Sequence, residues 1–168
     1  MHPDQNTYPD FFKTYINLVE TSNISLALED NKDLVINFFK AIPADKIDFA
    51  YASGKWTVKQ ILNHIIDTER VMSYRALRFA RKDPQMNLSF DENAFAANAD
   101  VTKISLEKLI EEFDHLRQAN CLMFSNFSNE TLQLQGQLSS GNISVLALGF
   151  TICSHALHHI EVINQKYL

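Results

Sequence analysis

Apolar positions recur at helical spacing in four separate stretches of the chain. Between Ile24 and Ile42 they fall at Leu28, Val35, Phe38, Phe39 and Ile42 with charge between them, and Pro43 closes the run. Spacings of three and four place such residues on one helix face. The second stretch opens on Thr57, three residues before Gln60. That spacing predicts a capping box, in which each side chain satisfies the other residue's backbone N–H. Ile61, Ile65, Met72 and Phe79 then trace an inward stripe towards Arg81. The third stretch is predicted to start at Ser105 as N-cap, with Glu107 favoured by the positive helix end. Its inward face is Leu106, Leu109, Ile110, Phe113, Leu116 and Leu122. Ser144 caps the fourth, whose inward line runs through Leu148, Ile152, His155, His159 and Val162.

The intervening segments are less regular. Residues 11–20, FFKTYINLVE, fit either a short helix or an extended clasp. The stretch KDPQMNLSFDENAFAANADVTKI has turn signals at Asp83-Pro84, and a connector of this length is usually functional or crosses a bundle end. NFSNETLQLQGQLSSGN is polar, with Gly136 and Gly141, and predicts a turn or a short extended piece. Four long amphipathic segments predict an all-α protein, a four-helix bundle. One domain over residues 1–168 is expected, with residues 1–23 as an N-terminal extension packed on the bundle.

Composition agrees with this picture. The chain is 46% hydrophobic and 21% charged, which is globular, and only four Gly and four Pro favour long uninterrupted elements. A net charge of −5 gives no reason to expect nucleic acid, since phosphate binding needs clustered cations. Arg75, Arg78, Arg81 and Lys82 repeat at helical spacing and read as a solvated helix face before a phosphate patch. Cys121 and Cys153 lie in apolar surroundings outside any CxxC, as expected of reduced, buried thiols in a cytoplasmic protein. MHPDQNTYPD lacks an apolar signal-peptide core, and no apolar run is expected to reach the roughly 18 residues of a membrane span.

The histidines carry the candidate chemistry. His155 and His159 are four apart, hence on one helix face, and both continue the inward line. Imidazoles so spaced can share one ion, or can be ordinary hydrogen-bonded core residues. His64 stands beside Ile61 and Ile65 on the second helix, where a lone buried ring is costly. Three rings from two neighbouring helices would leave a vacant coordination position, as catalytic metal sites do. The competing reading has His64 bonded to a nearby carbonyl.

Three stretches together carry a resemblance. KWTVKQILNHIIDTER, SFDENAF (Ser89 to Phe95) and NISVLALGFTICSHALHHIEVI resemble, in order, segments of the DinB-like four-helix metalloproteins. The likeness is greatest to the DinB/YfiT-like branch with bacillithiol S-transferases and metal-dependent hydrolases. It implies up-down-down-up topology, often a homodimer, a divalent metal such as Zn or Ni, and His64, His155 and His159 as ligands. His158 falls at a family position that is not normally a ligand.

The leading functional expectation is transfer of a low-molecular-weight thiol to an electrophilic small molecule, since a coordinated thiol is held as the reactive thiolate. The alternatives are a hydrolase using water acidified by the metal, or a non-catalytic dimeric metal- or ligand-binding bundle. Hydrolysis wants a carboxylate base, and no HExxH exists here because positions 156 and 157 are Ala and Leu. Asp67, one turn from His64, fits a ligand-orienting role or a surface salt bridge. Asp91, Glu92 and Asn93 are candidates to close over the site, with capping the plainer role for Asp91. Trp56 and Tyr51 read as a staple before the second helix. Glu69 and Arg70 fit a role within their helix or across it, and Glu161 fits a pair with His158.

Overall fold

A computed structural model describes residues 1–85 and 87–168; Met86, inside the long connection, lies outside them. Four long helices form: α2 (Ile24–Lys40), α3 (Val58–Ala80), α5 (Leu106–Ser125) and α7 (Val145–Lys166). The shorter elements are α1 (Lys13–Ile16), α4 (Glu92–Asn98), α6 (Asn129–Leu132), and the antiparallel strands β1 (Gln135–Leu138) and β2 (Gly141–Ser144). Each long helix starts on a local cap. Asn23 accepts from Ser25 and Leu26, and Thr57 accepts from Gln60 N at 3.2 Å. Gln60 Oε1 accepts in return from Thr57 N at 2.8 Å, completing the capping box. Ser105 and Ser144 cap α5 and α7 through Lys108 N and Ala147 N.

Two core clusters define the topology. The first joins the start of α2 (Ile24, Leu28), the ends of α3 (Phe79) and α5 (Phe124), and the start of α7 (Val145, Leu148). The second joins the end of α2 (Val35, Phe39), the starts of α3 (Ile61) and α5 (Leu109), and the end of α7 (Ile163). With α2 running up, α3 and α5 therefore run down and α7 runs up. α3 packs on α7 and α5, and α2 packs on the same two. Parallel neighbours α3 and α5 need a return path, so residues 81–105 climb a bundle whose α3 alone is about 34 Å long. α4 rides on that crossover and packs on α3. The hairpin crosses the end of α3, where Gly136 lies so close to the Phe79 ring that a Cβ would fall 2.0 Å from it. Of residues 11–20, left open by the sequence pattern, those up to Ile16 complete a 3-10 turn (Asp10–Phe12) and form α1, with Phe12 and Ile16 in the first core cluster.

Several expectations are corrected. On α5 the inward line holds as far as Leu116, which is half-buried against the second core cluster, but not at Leu122, which is 67% exposed; Arg117, Asn120 and Phe124 are buried there instead. Arg117 donates to both Glu69 oxygens at 2.7 and 2.8 Å and to Asn31 Oδ1 at 2.6 Å. Asn120 donates to Glu69 Oε1, and Asn31 donates to the Cys153 carbonyl. One polar network thus reaches all four long helices, so Glu69 acts across the bundle. The basic stretch is a solvated face only at Arg81 and Lys82, which are exposed. Arg75 is buried and donates to Leu88 O, while Arg78 holds Asp83, Gln85 and Asn87, pinning the crossover to α3. Glu161 accepts from Gln165 one turn on, not from His158. Cys121 is only half-buried, and both cysteines are free. α7, with a hydropathy of 1.3, is long and apolar enough to cross a membrane, contrary to expectation. Its apolar side chains from Val145 to Ala156 are instead buried in the bundle.

Removing one partner from the network strands a charge in the core. Arg117→Ala is expected to lower unfolding stability by about 3–5 kcal/mol in urea titrations. Replacing Arg117 and Glu69 together by Met and Leu is expected to recover most of that loss.

Candidate metal centre

α3 and α7 pack side by side where their histidines fall. His64, two turns into α3, comes within hydrogen-bond distance of His155 on α7, with Nε2 atoms 3.0 Å apart. His159, one turn further along α7, places its Nε2 3.1 Å from that of His155. The candidate ligand atoms of all three rings lie within 4.8 Å of one another. Two nitrogens each 2.0–2.1 Å from a tetrahedral ion would be about 3.3 Å apart, so only small ring rotations separate this cluster from a grip on one cation. Trp56 stacks on His64 with centroids 4.7 Å apart, and its carbonyl accepts from the Tyr167 hydroxyl.

The rings are held neutral, as metal ligation requires. Burial pushes His64 down to about 4, partly offset by the negative charge of Glu92. His159 falls to about 3, from burial first and then from the charges of His64 and His158. His155 is driven well below its ordinary value by burial and by the other three histidines. Three neutral rings offer donors for an N–H···N chain, but the same inward lone pairs suit a cation equally well.

A pocket of about 270 Å³ opens onto these rings. Its walls come from everything the topology lays over α3 and α7: Phe11, Phe12 and Tyr15 from the N-terminal segment, Trp56 before α3, and Phe90 and Glu92 from the crossover. Glu92 and His158 therefore join the triad around one space. Asp91 caps α4, accepting from Asn93 N and Ala94 N. Asn93 lines a second hollow of about 300 Å³ that shares Trp56, His158 and His159 with the first. Asp67 turns elsewhere, accepting from Asn63 at 2.9 Å and pairing with Arg70 at 3.8 Å. Tyr51 packs on Tyr167 in the second hollow. Thr68, Thr151 and the N-terminal aromatics went unnoticed in the sequence. Thr68 was legible as one turn beyond His64 on the same face, whereas nothing in the spacing marks Phe11 or Tyr15.

A bundle in which α3 and α5 run parallel, with a tri-histidine cluster at the antiparallel contact of α3 and α7, defines the class. The chain belongs to the DinB superfamily, whose family model matches residues 27–163. It is similar to a solved structure of YfiT from Bacillus subtilis, described as a probable metal-dependent hydrolase with an unusual four-helix bundle topology. The match has a TM-score of 0.75 at 15% identity and covers 98% of this chain and 90% of the other, a likeness of fold. No curated protein matches the sequence.

Neutral burial of His64 makes stability depend on pH with a definite sign. An unfolded histidine titrates near 6.5 and the folded ring near 4, so the unfolded state binds more protons between these values. Melting temperatures of chelator-treated protein are expected to hold above about pH 6.5 and to fall as the solution is acidified towards pH 4.

Proposed function

We propose that the protein is a metal-dependent hydrolase of small neutral substrates, with His64, His155 and His159 as the ligands of a divalent ion such as Zn or Ni. The observation that carries this reading is the convergence of three unprotonated imidazoles, His64 buried and His155 and His159 half-buried, with one side of the cluster open to a pocket. An ion held there supplies Lewis acidity, which acidifies a water or polarises a carbonyl that reaches its free side. Family membership and the description of YfiT support the same reading.

The carboxylate that hydrolysis needs comes from the crossover and not from the histidine helix. Glu92 lines the pocket with the triad and is close enough to influence His64. In this mechanism Glu92 takes a proton from the attacking water and returns it to the leaving alcohol or amine. The acyl C–O or C–N bond breaks as the new C–O bond forms. Trp56 and the N-terminal aromatics exclude bulk water and orient the apolar part of the substrate.

Thiol transfer remains the second reading, and one observation favours it. The second hollow shares Trp56, His158 and His159 with the first, so the cluster borders two chambers, as a reaction of two substrates requires.

Purified protein is expected to carry about one equivalent of metal, and His64→Ala to lose it while keeping its helical circular dichroism. Glu92→Gln is expected to retain the metal but to lose roughly 10²–10⁴-fold in ester or amide cleavage. Conjugation of a low-molecular-weight thiol to monochlorobimane, without any cleavage of esters or amides, would replace the hydrolase by the transferase. Absence of metal from the wild type would remove both.

A further inference from the structure

Among the described residues two arginines are buried, and only one of them has an acid. Arg117 is met by both oxygens of Glu69. Arg75 on α3 is 9% exposed, and among the described residues no carboxylate pairs with it. Its hydrogen bonds go to the Met72 sulfur at 3.8 Å and to the Leu88 carbonyl at 2.9 Å. A buried charge without a counter-charge costs stability, and an apolar side chain of similar size often fills such a place better. What a guanidinium adds at this position is the bond to Leu88.

That bond falls where the crossover would otherwise come loose. Arg78 fastens Asp83, Gln85 and Asn87, and Leu88 comes next. Beyond it, among the described residues, the hydrogen bonds of residues 89–100 stay within residues 91–102. α4 rides on α3 but buries none of its side chains. The next buried residue along the chain is Val101. Phe90 and Glu92, which line the pocket with the triad, are therefore carried by a stretch anchored at Leu88 and at Val101. Arg75 is outside the pocket lining and stands eleven residues from His64, about 16 Å along the helix. We propose that Arg75 is a positioning residue, whose bond to the Leu88 carbonyl sets where Phe90 and Glu92 stand over the histidines. Its effect on catalysis rests on the hydrolytic reading, in which Glu92 is the base; its effect on the place of the crossover does not.

The test compares Arg75→Met and Arg75→Lys with wild type, all full-length, each zinc-loaded and chelator-treated. Arg75→Met is expected to melt at or above the wild-type temperature, because it removes an unpaired charge and leaves the carbonyl of exposed Leu88 to water. Amide exchange of residues 89–98, read by mass spectrometry, is expected to be at least threefold faster in Arg75→Met. In Arg75→Lys, which keeps a donor, it is expected to stay within twofold of wild type. Exchange in α2 and α5 is expected to be the same in all three. With zinc bound, kcat for phenyl acetate is expected to fall at least tenfold in Arg75→Met, and adding Glu92→Gln to that variant to cost less than twofold more. A lower melting temperature or misfolding of Arg75→Met would show that the arginine serves the fold and would overturn the proposal. So would unchanged exchange at residues 89–98. Fully additive losses in the double variant would overturn the route through Glu92. If wild type cleaves no phenyl acetate, the hydrolytic reading fails, and the exchange rates alone decide the role of Arg75.

Discussion

A single buried ion pair sets the register of the bundle. Arg117 is fully buried, and a guanidinium in that position is tolerable only if nearly all its donors are met. Glu69 on α3 meets two of them, and Asn31 on α2 meets another. Asn31 in turn reaches the backbone of α7 at Cys153, two residues before His155. Leu–Leu contacts tolerate a slide of one helix along another, but a bidentate pair does not. The network therefore fixes α3 against α7 close to the level at which their histidines meet, five residues from Glu69 on one helix and two from Cys153 on the other.

The direction of the helices does the rest. Because α3 and α5 run parallel, the chain has to travel the length of the bundle between them, and this return path covers α3 instead of bridging one end. Phe90 and Glu92 are carried over the histidines by that path. The N-terminal segment closes the other flank, with Phe12 and Ile16 buried in the core and Tyr15 packed on His158 at 5.2 Å. The two central helices thus supply the histidines, and two peripheral segments supply the walls. Such a division leaves the cluster fixed while substrate preference changes with the covering segments.

Burial drives the electrostatics of the site in one direction. Each triad ring is held neutral mainly by desolvation, and the proximity of the rings adds to the effect. An arrangement with three lone pairs aimed at one point is poor for holding protons and good for holding a cation.

Much of the fold was legible because its signals are local. Capping boxes and N-caps at Thr57, Ser105 and Ser144 act within one turn, and apolar spacing of three and four follows from helix geometry alone. The sequence by itself thus determined four helices, their starts and the inward pair His155 and His159. Only the tertiary structure decided that His64 joins them, that Arg117 and Asn120 enter the core while Leu122 leaves it, and that Glu92 and Phe12 face the cluster. Those outcomes depend on partners far along the chain, as with Arg117 and Glu69, 48 residues apart, and Asn31 and Cys153, 122 apart. No spacing rule reaches that far, because the loops between helices leave their relative placement free until packing and desolvation choose it.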